Sequence, residues 1–370
     1  MIYLDYQSTT PLAPEVAAAM APWTQDHFAN PHSPSRWGRE AEAAIETARK
    51  QVERTIGLDG GSVAFTGSAT EALNWALKGS LEKAPANRNR IVTVATEHAA
   101  VLDSCEWLEE RGAEIVRLGV GHDGLVNLAQ LDAALDERVA VVAVMLVNNE
   151  IGVIQPIDAI ADSAHRVGAL MLCDAVQGLG RVPLADGPDL VAVSAHKIHG
   201  PKGIGALWMR DKAEPAPLIH GGGQERGLRS GTVSPMLCVG FGRAAQLATD
   251  RRTRDYDHLE GLWRAARDAL GPGWTINGSV ERRYRGNLSL RREGLDGARL
   301  IADLRDVAFS LGSACASGSG RPSHVLRALG LTARQARSSI RLGFGRYTAA
   351  RDLVTACRRI DAAADAQQGE

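Results

Sequence analysis

From Pro14 to Met209 helix-like and strand-like segments alternate, and this alternation restricts the fold more than any other feature of the chain. Strand candidates fall at 62–65, 91–95, 114–118, 139–147, 169–173, 190–193 and 204–209. Between them lie amphipathic stretches, among them 33–56 stopped at Gly57, a helix from about Thr70, and 99–111 ended by Gly112. Such a sequence of elements predicts an α/β domain in which helices flank a mainly parallel central sheet. The rhythm then changes. Residues 211–217, with two prolines, read as a loop, and 236–270 as one long helical stretch with Gly261 near its middle. Short strands at 275–277 and 285–290, a helix at 297–304, a Gly/Ser-rich loop at 312–320 and a closing helix, strand and helix follow. The pattern predicts a large domain over 14–254 and a smaller α+β domain from 1–13 and 255–370. Residues 362–370 read as a frayed tail.

Charge and apolar content exclude several functions. Lys plus Arg number 42 against 43 Asp plus Glu, which leaves no basic excess for direct nucleic-acid or anionic-membrane binding. The longest apolar run, 139–147, is far short of the roughly 20 residues a bilayer needs. No basic-then-apolar leader opens the chain, so a cytoplasmic protein is expected. The five cysteines are odd in number and lack CxxC spacing, which fits neither a disulfide scaffold nor a zinc site.

In open parallel sheets, ligands bind outside the carboxyl ends of the strands. Four strand candidates here run into polar sets: Thr66-Gly67-Ser68-Ala69-Thr70, Asn148-Asn149-Glu150, Asp174-Ala175-Val176-Gln177 and Ser194-Ala195-His196-Lys197. The strand–glycine–helix unit at Gly67 suits a phosphate, because a helix start offers free N–H groups and a positive dipole end. Neither a GK[ST] nor a GxGxxG pattern accompanies it, so a plain nucleotide is disfavoured. Only six of the 42 basic residues are lysines, yet Lys197 and Lys202 fall close together after one strand. Lysine, unlike arginine, can lose its proton and form an imine. A reactive lysine, a strand-end aspartate and a phosphate cradle are what pyridoxal 5'-phosphate requires. Cys315 lies in a run of small residues, 311–320, that cannot pack it into a core, which predicts a reachable thiol.

The chain resembles the cysteine desulfurases of the nitrogenase and iron–sulfur-cluster assembly type, within the class V aminotransferase group. The resemblance spans nearly the whole chain. It rests on Tyr3-Leu4-Asp5-Tyr6, Thr96-Glu97-His98, Val147-Asn148-Asn149-Glu150-Ile151-Gly152, Asp174-Ala175 with Gln177, and His196-Lys197 with Gly200-Pro201-Lys202-Gly203. Gly221-Gly222-Gly223-Gln224-Glu225, Arg229-Ser230-Gly231-Thr232, Gly312-Ser313-Ala314-Cys315 and Ser338-Ser339-Ile340-Arg341 complete it in the family's order. The resemblance implies that Lys197 joins the cofactor covalently and moves the substrate Cα proton. Asp174 is then the partner of the pyridinium nitrogen, Gln177 the donor to the ring's phenolic oxygen, and His98 the imidazole stacked on the ring. Ala69, Thr70, Ser194 and His196 form the phosphate cup, with Thr232 reaching across a homodimer. Asn149 and Arg341 grip the substrate carboxylate, Arg341 through a bidentate fork, and Cys315 attacks the sulfur.

The implied reaction takes L-cysteine to L-alanine and leaves the sulfur on Cys315 as a persulfide, for delivery to an iron–sulfur scaffold or a thiolation protein. A selenocysteine lyase, another class V enzyme, or a persulfide carrier without turnover are the alternatives. Three departures from the family stand out: a serine in Asn30-Pro31-His32-Ser33-Pro34-Ser35 where a histidine is usual, His199 for a frequent tyrosine, and little sequence beyond Arg341 and Gly345. The last weakens docking through a long C-terminal tail, and the partner is expected to meet the 312–320 loop instead.

Overall fold

The computed structural model describes residues 1–184, 186–312 and 322–368. The chain opens with a two-residue strand, β1 (Ile2–Tyr3). The strands β2 (Gly61–Thr66), β3 (Arg90–Val94), β4 (Glu114–Leu118), β5 (Val139–Ala143), β6 (Leu170–Asp174), β7 (Leu190–Ser194) and β8 (Gly205–Arg210) form one sheet in the order β2-β8-β7-β6-β5-β3-β4. Pairing is parallel from β7 through β4, whereas β8 runs antiparallel to both its neighbours. β5, β6 and β7 are almost wholly apolar and buried, as strands covered by helices on both faces must be. The helix Arg36–Ile56 buries an apolar stripe and stops at Gly57, whose φ of 77° is the left-handed cap a glycine adopts at no steric cost.

The smaller part comprises β9 (Thr275–Ile276), β10 (Asn287–Arg291), β11 (Val307–Ala308) and β12 (Ser339–Gly343). An antiparallel sheet of order β12-β10-β9 is flanked by the helices Arg252–Ala269 and Ala350–Gln368, while β1 pairs in parallel with β11. The N-terminal strand therefore belongs with the C-terminal part. No described helix is long and apolar enough to cross a membrane.

Three elements differ from expectation. β5 ends at Ala143 rather than at 147, because the neighbouring β3 has stopped and the carboxylate of Glu97 takes the Met145 N–H at 2.7 Å instead. The stretch 236–270 is two helices, Pro235–Asp250 and Arg252–Ala269, broken at Arg251, with Gly261 inside the second. Residues 362–368 of the tail do not fray but continue the last helix. Leu353, Ala356, Cys357, Ile360 and Ala364 continue one buried stripe, so the last helix is packed as far as Ala364.

Candidate active site

Because β8 is antiparallel, its amino end lies at the same edge as the carboxyl ends of β2, β5, β6 and β7. There a cavity of about 900 Å³ opens. Its walls bring together Ala69, Thr70, His98, Asn149, Asp174, Gln177, Ser194, His196, Lys197 and Arg341. Thr232 is exposed and is not among the walls, and Cys315 lies outside the described residues. A second cavity of about 480 Å³, lined by residues such as Arg181, His199 and Tyr284, holds none of the predicted site residues.

One end of the larger cavity is a helix start. Ser68 caps the helix Ala69–Lys83 by accepting from Glu71 N, and the first-turn N–H groups of Ala69 and Thr70 have no partner inside a helix. Gly67 itself is not the donor, since its N–H is taken by Glu71 Oε2 at 2.8 Å. Close approach of β8 shapes this end: a Cβ on Gly205 would lie 2.5 Å from the Ser68 carbonyl carbon. Neutral His196 sits beside it, pushed down to about 4 by burial and by Lys197 and Lys202, with Nδ1 3.1 Å from Thr9 Oγ1.

Lys197 projects from the short turn after β7. Its amine donates to the carbonyls of Gln7 at 2.5 Å and Ser8 at 2.8 Å, and Arg181 holds its own carbonyl. Burial, then the charges of Arg341 and Arg181, lower its pKa to about 8, within reach of a neutral nucleophilic amine. Asp174, at the end of β6, is buried and accepts from Val176 N at 2.9 Å. Burial raises its pKa, while His98 and Lys197 favour its charge. Glu97 is buried close by, pushed well above the carboxylate range by burial and by Asp174, and its Oε2 has no partner. Two such carboxyls share a charge poorly. Glu97 is thus driven toward its protonated form, while His98 and Lys197 draw Asp174 toward its charged form at the cavity. His98 caps the helix Ala99–Glu109, Nδ1 accepting from Ala100 N at 3.1 Å, so the neutral ring carries its proton on Nε2. Gln177 donates from Nε2 to Gln7 O at 2.9 Å, leaving its second N–H unassigned.

The opposite wall comes from the smaller part. Arg341, on β12, is 1% exposed and contacts Asp5, Ser8 and the backbone carbonyl of Asn149. Next to Asn149, the buried carboxyl of Glu150 accepts from Ser323 Oγ, while His324 Nε2 lies 2.9 Å from Glu97 O. Glu97, Glu150 and Asp5 stand in the sequence motifs without an assigned role, and Arg181 stands in none. Glu97 and Glu150 adjoin predicted residues, and Arg181 sits four residues past Gln177, yet nothing local marks their roles.

The aminotransferase class-V family profile matches residues 2–355. The chain belongs to this family. The cysteine desulfurase IscS of Rickettsia bellii (strain OSU 85-389) is 42% identical over 368 residues, covering 97% of this chain and 90% of that one. A solved NifS-like protein superposes with a TM-score of 0.91 at 31% identity, covering 98% of each chain. A structure described as SspA in complex with cysteine reaches 0.84 at 32% identity, covering 94% of this chain and 100% of that one. Class-V aminotransferases depend on pyridoxal 5'-phosphate, and the residues present fit it. The amine of Lys197, its proton already loosened, shares one cavity with the buried carboxyl of Asp174 and a helix start suited to phosphate.

Proposed function

We propose that this class-V aminotransferase is a cysteine desulfurase that works as a cytoplasmic homodimer and passes sulfur to an iron–sulfur scaffold or a thiolation protein. The observation that carries the reading is one cavity holding both a depressed-pKa lysine and a buried arginine, an imine-forming group and a carboxylate receptor. Relatives bearing the desulfurase name, and a neighbour solved with cysteine, support it. When bound, pyridoxal phosphate supplies an electron sink that weakens the bonds at the substrate Cα and Cβ.

The chain's own residues do the rest. Ala69, Thr70, Ser194 and His196 hold the phosphate, joined by Thr232 from the partner subunit. Asp174 keeps the ring nitrogen protonated, and Gln177 donates its free N–H. Arg341 and Asn149 orient the substrate carboxylate. Lys197 takes the Cα proton, and the Nε2 proton of His98 lies ready on the cavity wall. The Cys315 thiolate bonds to the substrate sulfur as the carbon–sulfur bond breaks, and the carbon skeleton, protonated, leaves as L-alanine. Incubating the purified protein with L-cysteine should release alanine and place a persulfide on Cys315. Persulfide on Cys105, Cys173, Cys238 or Cys357 instead would overturn that assignment.

A further inference from the structure

The arginine that would receive the substrate carboxylate is already bound to a carboxylate of this chain. A guanidinium has five N–H donors, one on Nε and two on each Nη. Both Nη2 protons of Arg341 are engaged, by Asp5 Oδ1 at 2.8 Å and Ser8 Oγ at 3.0 Å, and Nη1 donates to Asn149 O at 2.9 Å. Nε is buried without a partner. A carboxylate grips a guanidinium bidentately through Nε with Nη2, or through Nη1 with Nη2. Either edge needs an Nη2 proton. The expected fork is therefore closed until Asp5 or Ser8 yields.

Asp5 is held where it is by main chain rather than by its charge. Its backbone bridges Gly343, two residues past Arg341, and Gly343 N donates to Leu4 O at 2.7 Å. Tyr3 Oη donates to the carbonyls of Asp5 and Thr9. The Asp5 side chain is one-fifth exposed while that of Arg341 is closed to solvent, so the carboxylate can turn outward and the guanidinium cannot.

We propose that Asp5 is a specificity-determining residue: its carboxylate occupies one of the two Nη2 protons on which a substrate fork draws, and the amino acid binds by exchanging one carboxylate for another at Arg341. This rests on Arg341 as the carboxylate receptor of the proposed function. The exchange makes the net attraction for an incoming ligand a difference between two ion pairs, which only a charged carboxylate can win.

The test uses holoenzyme and L-alanine, with binding followed by calorimetry. Asp5→Asn keeps the shape and removes the competing charge, so L-alanine should bind about fivefold tighter, the order of one partly exposed ion pair. L-alaninamide, which has no carboxylate, should change by less than about twofold, and Ser8→Ala, which frees an Nη2 proton without altering charge, should shift alanine affinity by less than about twofold. The Asp5→Asn protein should melt lower when ligand-free and regain more on adding L-alanine, because its buried guanidinium then waits for a counter-charge. Weaker or unchanged alanine binding by Asp5→Asn, in a protein whose parent turns over L-cysteine, would overturn the exchange and leave the desulfurase reading standing. Equal tightening by Ser8→Ala would also overturn it, by removing charge as the cause. A parent that leaves L-cysteine untouched, or an Arg341→Ala protein binding L-alanine as tightly as the parent, would instead sink the functional reading and the exchange with it.

Discussion

The two walls of the cavity are built on different principles. On the sheet side, Asp174, Gln177, Ser194, His196 and Lys197 follow directly from the ends of adjacent strands, and main-chain groups steady several of them: Val176 N on Asp174, the Gln7 and Ser8 carbonyls on Lys197. On the other side Arg341 and Glu150 depend on side-chain partners remote in sequence, Asp5 lying 336 residues from Arg341. The first wall suits a cofactor that stays. The second suits a substrate that comes and goes, because side-chain ion pairs can be exchanged where main-chain bonds cannot.

The largest effect should come from the sheet side. Lys197→Ala should cut alanine release by roughly a thousandfold or more, as expected on removing both an imine-forming group and a proton carrier. Borohydride reduction followed by peptide mass analysis should then find no covalent cofactor, whereas Lys202→Ala should retain it at position 197. Survival of covalent cofactor in Lys197→Ala would dissolve the distinction between the walls.

Arg341→Ala strikes the other wall. It should raise the KM for L-cysteine by about 10- to 100-fold, as loss of a charge-assisted grip implies, while covalent attachment at Lys197 persists. Failure to load cofactor would show that the walls are not separable.

The next effect is one of pH. A folded pKa near 8, below the ordinary 10.5, means that Lys197 is protonated below about 8 and free above it. Attachment of added cofactor to the cofactor-free protein should therefore slow about tenfold per unit below pH 8 and level off above it. Linkage has a definite sign here. Between 8 and 10.5 the unfolded chain binds the extra proton, so stability of the cofactor-free protein should rise across that window. A midpoint near 10.5 would remove the electrostatic account of this lysine.

The smallest effect on turnover should follow removal of residues 364–370, far from the sheet wall. It deletes buried Ala364 and the contacts of Asp365 with Arg292 and of Gln368 with Glu293, at a cost of about 1–3 kcal/mol in stability, read as a lower melting temperature. Unchanged melting would restore the frayed tail.

Legibility in the sequence divides along the same line. Continuous apolar strands that end in Asp174 or Ser194-Ala195-His196-Lys197 announce both the sheet and its edge, because burial on two faces and a polar rim leave a local mark. Arg341 is one of 36 arginines, and only family resemblance separates it from the rest. The pairings Asp5–Arg341 and Glu150–Ser323 are products of tertiary approach, which no local pattern records. The break at Arg251 was equally silent, having neither glycine nor proline to mark it.

The inverted strand β8 also sets a timetable. Edge strand β2, which leads into the phosphate-binding helix start, pairs only with β8, and its registers span Thr66 to Gly205 and Gly61 to Arg210, or 139 and 149 residues. At a synthesis rate of about 5–20 residues per second, β2 waits roughly 7–30 seconds on the ribosome for its partner. β1 waits longer still, for Val307. The cup for the phosphate cannot close before Gly205–Arg210 is made, so the cofactor meets a chain that is already more than half synthesised.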